Sequence, residues 1–187
     1  MRIVGGRFRG QALAGLGRGD ADAHLRPTSD KVRESLFNIL EHGDYPALEG
    51  ARVLDLFAGT GALGFEALSR GAARVLFVDD GAKARALIRE NTDRLGAIGQ
   101  TKIYRRDAAR LGENHGAPYD LIFLDPPYGR GLGERALDSA YAGGWVAPGA
   151  TAVWEEGGPV SPPPWLALAD ERRYGETWLR IFRAAGA

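Results

Sequence analysis

The chain has 187 residues, of which 44% are hydrophobic and 26% charged, as is typical of one soluble folded domain. It contains no cysteine, which excludes disulfides, cysteine nucleophiles and cysteine metal ligands. No apolar run is long enough to cross a bilayer, and the N-terminus lacks a signal-peptide core, so we expect a cytoplasmic protein.

The net charge of zero hides an uneven distribution along the chain. Residues 1–33 contain seven Lys or Arg and three Asp, a net charge of +4. The other 154 residues contain 17 basic and 21 acidic side chains, a net charge of −4. A basic arm on an acidic body is typical of a protein that meets phosphate at one end, although a solvated charged surface accounts for the same count.

The first 43 residues predict a basic extension that packs on a core formed by residues 44–187, with the two parts making effectively one domain. Residues 1–4 start a strand, the glycines that follow mark hairpin turns, and residues 15–24 form a polar loop. A helix follows and ends at Gly43. Its apolar face is formed by four residues: Val32, Leu36, Ile39 and Leu40.

Strands and helices alternate through the core. The predicted strands are residues 53–56, 74–79, 101–105, 119–124 and 151–155, and the predicted helices are residues 62–70, 82–95 and 133–142. This alternation predicts a parallel sheet covered by helices on both faces. The proline-rich stretch at 159–164 interrupts it, and the segments 166–174 and 176–183 around Gly175 predict an antiparallel hairpin.

Residues 53–64, VLDLFAGTGALG, form an apolar strand, a glycine-rich turn and the start of a helix. Such a turn lets the backbone approach a ligand, and the helix start offers unpaired N–H groups. Gly59, Gly61 and Gly64 also match G-x-G-x-x-G, the pattern of dinucleotide-binding turns. A turn that serves packing alone would have the same composition.

Acidic residues lie at or just beyond four successive strand ends, namely Asp55, Asp79, Asp107 and Asp125. Ligands of open α/β sheets gather at these ends. Asp79 follows Gly59 by 20 residues, the separation at which an acid meets ribose hydroxyls. We therefore expect a cleft for an adenosine compound, with Asp107 near the adenine amino group, although any one of these acids could simply cap a helix.

The fourth strand leads into Asp125-Pro126-Pro127-Tyr128. The prolines fix the backbone and remove two N–H donors, so carbonyl groups and the Asp125 carboxylate face the cleft. This concentration of acceptors suits an exocyclic amino group, and Tyr128 offers a flat face on which an extruded base can stack. The alternative is a proline turn with a core tyrosine.

These motifs resemble class I S-adenosylmethionine-dependent amino-methyltransferases. The blocks MRIVGGRFRG and LRPTSDKVRESLFNIL, with the glycine turn and DPPYGRG, resemble the RsmD family, which methylates N2 of a guanine in small-subunit ribosomal RNA. The resemblance runs from Met1 to about Arg183. It implies a Rossmann-like α/β fold with a seven-stranded mixed sheet, S-adenosylmethionine as methyl donor, S-adenosylhomocysteine as product and no metal. It also implies a monomer whose partner is ribosomal RNA, free or in an assembled or partly assembled small subunit.

The resemblance also implies site residues. The methionine end of the cofactor would contact Asp55, Ala58, Gly59 and Gly61, its ribose Asp79, and its adenine Asp107 and the N–H of Ala108. Asp125 and the Pro126 carbonyl would hold the guanine amino group, and Tyr128 would stack on the ring. Two departures stand out, since the family commonly has Glu at position 79 and Asp at position 81, where this chain has Asp79 and Gly81.

Four N-terminal arginines are candidates for phosphate contacts: Arg7, Arg9, Arg26 and Arg33. Arg26 and Thr28 could instead face the methionine carboxylate, and the sequence leaves both roles open. The three histidines lack metal-ligand spacing, so no metal site is predicted.

Other functions fit parts of the same sequence. A nicotinamide-dependent oxidoreductase would use the glycine turn, but it leaves DPPY unexplained and requires a parallel sixth strand. A non-catalytic RNA-binding module would retain the fold alone. Methyl transfer to adenine N6 or to a protein glutamine would use similar acceptor groups, and only the N-terminal blocks separate these from guanine methylation. For any of these acceptors we expect direct in-line transfer, and whether Asp125 takes the proton is open.

Overall fold

A computed structural model describes residues 1–15 and 28–186, and its centre is a seven-stranded sheet. The strands are β1 Arg52–Leu56, β2 Arg74–Val78, β3 Thr101–Tyr104, β4 Tyr119–Leu124, β5 Val146–Glu156, β6 Leu166–Tyr174 and β7 Thr177–Ala184. The helices are α1 Asp30–His42, α2 Ala62–Ser69, α3 Ala82–Arg94 and α4 Leu132–Ala142. Short 3-10 turns span Ile98–Gln100 and Ala108–Arg110.

The strand order is β3-β2-β1-β4-β5-β7-β6. Strands β1 to β5 are parallel, and β7 is antiparallel to both β5 and β6. The predicted antiparallel hairpin is therefore confirmed, and the parallel sixth strand that an oxidoreductase of the dinucleotide fold needs is absent from this sheet. The order reverses between β1 and β4, and crevices for ligands form at such a point, beyond the carboxyl ends of the strands.

Alternation along the central strands builds two hydrophobic layers. On one face Val53, Phe77 and Phe123 pack with residues of α1, α2 and α3. On the other face Leu54 and Leu124 pack with α4 and with the turn at Ala108–Arg110. Because both faces are buried, the strands are apolar throughout, as expected for parallel strands. Packing on both faces holds these strands in place, and it therefore also fixes the positions of their carboxyl ends, where the candidate site lies.

The N-terminal residues pack on α2 and α3. The predicted hairpin is reduced to a single antiparallel bridge between Arg2 and Ala12. The fully buried Glu66 of α2 accepts hydrogen bonds from the backbone N–H groups of Val4, at 2.9 Å, and Gly5, at 2.8 Å. Asn91 of α3 accepts a bond from Ala14 N–H at 2.6 Å. The division at residue 43 stays a prediction, and most of the predicted 15–24 loop lies outside the described residues.

The helices given above all lie within the described residues 28–186, and none of these helices is long and apolar enough to span a membrane.

Candidate active site

The glycine-rich turn after β1 is held in shape by a buried carboxylate. Asp55 Oδ2 accepts a hydrogen bond from Gly64 N–H at 3.0 Å, which satisfies one free donor of the first turn of α2. Burial raises the pKa of Asp55 well above its ordinary value. Gly61 has a φ of 78°, and a Cβ there would lie 2.7 Å from the Phe65 ring, so only glycine fits. Phe57 has a φ of 58°, a strained value for a bulky residue.

Asp79, at the end of β2, ties two loops together. Its Oδ2 accepts from Gly59 N–H at 2.9 Å and its Oδ1 accepts from Gly81 N–H at 2.8 Å. Burial raises the pKa of Asp79, and these two bonds oppose that rise. Each carboxylate oxygen has capacity for a further bond, so Asp79 remains able to accept from a ligand hydroxyl.

A cavity of about 530 Å³ lies at the carboxyl ends of β1, β2 and β4, and we call it the loop cavity. It brings together residues from four segments: Phe57, Asp79, Asp107, Ala108 and Asp125. Asp107 is exposed, and its Oδ1 caps the following turn by accepting from Ala109 N–H at 2.9 Å. Ala58, Gly59 and Gly61 form the adjoining turn and are not among the lining residues.

Asp125 lies in the loop cavity without a hydrogen bond from the described residues. Burial, together with the charges of Glu155, Asp55 and Glu156, raises the pKa of Asp125 well above its ordinary value. Pro126, which follows it, is buried. The carboxylate is therefore a free acceptor in a partly desolvated position.

A second cavity, of about 790 Å³, lies beside Tyr128, and we call it the tyrosine cavity. Its lining includes Tyr128, Glu134, Glu156, Gly157, Arg173 and Glu176. The Tyr128 side chain is held at its hydroxyl, which donates to Glu155 Oε1 at 3.1 Å and lies 3.2 Å from Thr177 Oγ1. Tyr128 is 44% exposed, and a Cβ on Gly157 would lie 2.7 Å from its ring, so this glycine allows the close approach. Burial also raises the pKa of the phenol, which keeps it protonated.

The two cavities flank the Asp125–Tyr128 motif. Asp125 and Pro127 line the loop cavity, and Tyr128 lines the tyrosine cavity. Phe57, at the start of the glycine-rich turn, shares the loop cavity with Asp125 and Pro127, whereas Ala58, Gly59 and Gly61 adjoin it without lining it. Ligands in the two cavities would therefore both contact this four-residue motif.

The N-terminal block reaches the site through a chain of hydrogen bonds. Thr28 Oγ1 donates to Glu155 Oε2 at 2.6 Å, and Arg33 Nη1 donates to the Thr28 carbonyl at 2.6 Å. Arg33 is fully buried and also bonds the Arg2 carbonyl and Asp30. The prediction that Arg33 contacts phosphate is therefore wrong, because its guanidinium is enclosed by its own N-terminal segment.

The other arginine candidates differ in position. Arg7 is exposed, and its Nη2 donates to Gln100 Oε1 at 2.5 Å. Arg9 is also exposed. Arg26 lies outside the described residues. For metals, residues 1–15 and 28–186 contain no group of three or more His, Cys, Asp or Glu side chains that could hold an ion.

Comparison with known proteins assigns the chain to a family. The family model described as "Conserved hypothetical protein 95" matches residues 1–183. The ribosomal RNA small subunit methyltransferase D of Escherichia coli K12 is 37% identical over 188 residues, covering 98% of this chain and 89% of the relative. The chain belongs to the RsmD family. The resemblance predicted from the N-terminal blocks and the two motifs is thereby confirmed.

Solved structures support the same assignment. A putative methyltransferase from Escherichia coli superposes with a TM-score of 0.83 at 31% identity, covering 100% of this chain and 99% of the other. A putative methylase from Haemophilus influenzae superposes with a TM-score of 0.80 at 28% identity, covering 98% of each chain. The predicted class I methyltransferase fold, with its mixed seven-stranded sheet, is confirmed.

In this RsmD-family chain, sequence reasoning missed Glu155 and Glu156 at the end of β5. Glu155 holds Tyr128 and Thr28, and Glu156 Oε1 accepts from Gly129 N–H at 3.2 Å and Gly157 N–H at 2.9 Å. The signal was present, since two carboxylates form the end of a buried strand. Its meaning depended on β5 lying beside β4, with Leu124 opposite Trp154.

Proposed function

We propose that this protein transfers a methyl group from S-adenosylmethionine to the exocyclic N2 of a guanine in small-subunit ribosomal RNA. The observation that carries the proposal is that the Asp125–Tyr128 motif lines two cavities, with Asp125 and Pro127 in the loop cavity and Tyr128 in the tyrosine cavity. The RsmD-family relatives, which are named as ribosomal RNA small subunit methyltransferases, support the choice of RNA.

The loop cavity suits S-adenosylmethionine by its chemistry and its size. Its lining includes the acidic side chains of Asp79, Asp80 and Asp107 on the cofactor side, together with the basic side chains of Lys83, Arg106 and Arg130, so it offers both acceptors and donors to a polar, charged compound. Carboxylates also accept bonds from ribose hydroxyls and from an adenine amino group. A volume of about 530 Å³ is in the usual range for a small-molecule site. When bound, S-adenosylmethionine supplies an electrophilic methyl group.

Within this site we assign the cofactor contacts by segment. Asp55, Ala58, Gly59 and Gly61 would form the turn against the methionine end. Asp79 would accept from the ribose, and Asp107 with the Ala108 N–H would meet the adenine. Asp79 already accepts from two backbone N–H groups, which fixes the direction of its remaining lone pairs.

Asp125 and Pro126 would orient the nucleophile. A guanine amino lone pair is delocalised into the ring, so it attacks well only when it is turned out of that plane. Asp125 and the Pro126 carbonyl would accept the two amino hydrogens and direct the lone pair at the methyl carbon. The carbon–sulfur bond breaks as the carbon–nitrogen bond forms, so most of the rate gain comes from orientation and electrostatics.

Asp125 would also receive the proton that the amino group loses. Burial and three neighbouring carboxylates raise its pKa, which makes it a stronger base than an exposed aspartate once it is ionised. The same shift means that a larger fraction of Asp125 is protonated below neutral pH. Turnover should therefore fall as the pH is lowered through the raised pKa of Asp125.

Tyr128 would hold the target base after it leaves its stack. Base stacking on an aromatic side chain contributes about 1–3 kcal/mol. The ring is presented to the tyrosine cavity with its hydroxyl bound to Glu155. Arg7, Arg9 and Arg26 would contact phosphates around that base. The protein would act as a cytoplasmic monomer on free RNA or on an assembled or partly assembled subunit.

One pair of variants tests the proposal. Asp125→Ala should bind S-adenosylmethionine as the wild type does in calorimetry, while transfer of labelled methyl to small-subunit RNA falls at least about 100-fold. Asp138→Ala is the matched control, because Asp138 is an exposed residue of α4. Normal transfer by Asp125→Ala, or equal losses in both variants, would refute the assignment.

A further inference from the structure

The tyrosine cavity contains charged groups that the methyl-transfer proposal does not use. Glu156 and Arg173 both line it, on the side where the antiparallel hairpin meets the sheet. Glu156 ends β5, and Arg173 lies near the end of β6. A carboxylate and a guanidinium facing one cavity beside Tyr128 form a polar wall for whatever stacks there.

Strand pairing places these two residues in one row. Glu156 is the register partner of Trp178 in β7, and Trp178 is the register partner of Arg173 in β6. Paired residues project from the same face of a sheet. Since adjacent strands are about 4.8 Å apart, the Cα atoms of Glu156 and Arg173 are separated by about 10 Å. Trp178 projects from the same face between them, and the open space that Glu156 and Arg173 share is the tyrosine cavity that both line.

Glu156 has one oxygen occupied and one oxygen free. Its Oε1 accepts from Gly129 N–H at 3.2 Å and Gly157 N–H at 2.9 Å, while Oε2 accepts no hydrogen bond from the described residues. The residue is only 7% exposed, yet it lines the cavity. One oxygen of this buried carboxylate is therefore held by the backbone, and the other is available as an acceptor.

Arg173 is oriented in a complementary way. Its Nε donates to the Gly175 carbonyl at 3.0 Å, and its Cζ lies 5.4 Å from the centre of the Trp178 ring. The two Nη groups donate to no other residue in the described parts of the chain. They form a fork of free donors at the open end of the row, and such a fork suits carbonyl and ring-nitrogen acceptors.

We propose that Glu156 and Arg173 read the Watson–Crick edge of the target guanine. Glu156 Oε2 accepts the N1 hydrogen, and the Arg173 Nη groups donate to O6. The inference rests on the proposed function, because it takes the guanine amino group to be at Asp125. The order N2, N1, O6 along the base then matches the order of β4, β5 and β6 across the sheet, with β7 between the last two.

This arrangement explains why guanine is chosen over adenine. With its N6 amino group at Asp125, adenine would place the lone pair of N1 against the Glu156 carboxylate, which repels it, and C2–H, which is not an acceptor, toward Arg173. Arginine bonding to guanine O6 is the commonest base-specific contact in nucleic-acid complexes. The two side chains therefore separate guanine methylation from adenine-N6 methylation, which the proline motif alone does not do.

The test uses RNA in which 2-aminopurine replaces the target guanine. This base keeps the amino group at C2 but lacks O6 and the N1 hydrogen. The ratio of kcat/KM for guanine RNA to kcat/KM for 2-aminopurine RNA should be high for the wild type. It should fall about 5- to 150-fold in Arg173→Met, the range for one good base contact.

Glu156→Gln provides the second arm. Its amide oxygen can still accept from Gly129 and Gly157, while its NH₂ group donates to the N1 lone pair of 2-aminopurine. The guanine to 2-aminopurine ratio should again fall, with part of the change appearing as faster use of 2-aminopurine. A merely structural role would slow both substrates equally and leave the ratio constant.

Two neighbouring variants are the controls. Glu134→Gln changes another acid of the same cavity, and Arg172→Gln changes the residue next to Arg173, which pairs with Asp170. Both should keep the wild-type ratio. An unchanged ratio in Arg173→Met and Glu156→Gln, or equal falls in the controls, would overturn the inference. Failure of the wild type to methylate either RNA would instead refute the proposed function.

Discussion

Glu155→Ala tests how the tyrosine is held. Glu155 accepts from Tyr128 at 3.1 Å and from Thr28 at 2.6 Å, and in the alanine variant neither hydroxyl has this acceptor. Tyr128 keeps its contact to Thr177 Oγ1 at 3.2 Å, so the ring is loosened rather than released. The cost that passes through Tyr128 is at most the stacking energy of one base, about 1–3 kcal/mol. We therefore expect kcat/KM for RNA to fall about 5- to 100-fold.

The assay separates orientation from folding. Affinity for S-adenosylmethionine, measured by calorimetry, should stay at the wild-type value because Glu155 does not line the loop cavity. Glu155→Gln keeps a carbonyl acceptor and should recover most of the activity. Tyr128→Phe combined with Glu155→Ala should lose little more than either variant alone, since both remove one interaction. Full activity in Glu155→Ala, or strictly additive losses in the double variant, would refute the reasoning.

Three further predictions concern stability and RNA binding. Glu66→Ala leaves the N–H groups of Val4 and Gly5 without an acceptor. It should lower the free energy of unfolding in urea by about 3–5 kcal/mol. Glu41→Ala, which changes a more exposed partner of Arg70, should change this free energy little. Asp55→Asn should stabilise the fold at neutral pH, because burial raises the pKa of Asp55 and so disfavours its ionised form. The gain in the free energy of unfolding should shrink at lower pH, and a gain that grows on acidification would contradict this. Neutralising Arg7 and Arg9 together should lower the slope of log K for RNA against log salt by about 1.4, and an unchanged slope would leave both as solvated surface.

Local motifs in the sequence predicted those parts of the candidate site that depend on short stretches of chain. The glycine turn and DPPY each include a strand, the turn after it and the functional groups within about a dozen residues. Their chemistry can therefore be inferred without knowing the fold. Asp79 and Asp107 were predictable because open α/β sheets gather ligands at strand ends. The loop cavity brings these residues together as expected.

Residues whose roles depend on distant contacts were not predictable. Arg33 reads as one more basic residue of an exposed arm, yet its partners are the Arg2 and Thr28 carbonyls, and the first of these is 31 residues away. Glu155 gains its role from strand pairing with β4. The fifth strand begins at Val146, whereas the sequence predicted a start at residue 151. Pro148 and Gly149 suggested a break in the strand, but the register shift between Tyr119 and Leu121 of β4 accommodates them within it.

The most direct measurement is mass mapping of ribosomal RNA from cells that lack the gene. One guanine of the small-subunit RNA should be unmodified there, and purified protein with S-adenosylmethionine should convert it to N2-methylguanine, while Asp125→Ala should not. A small-subunit RNA with every N2-methylguanine still present in those cells, or a methyl group gained on adenine instead, would contradict the account.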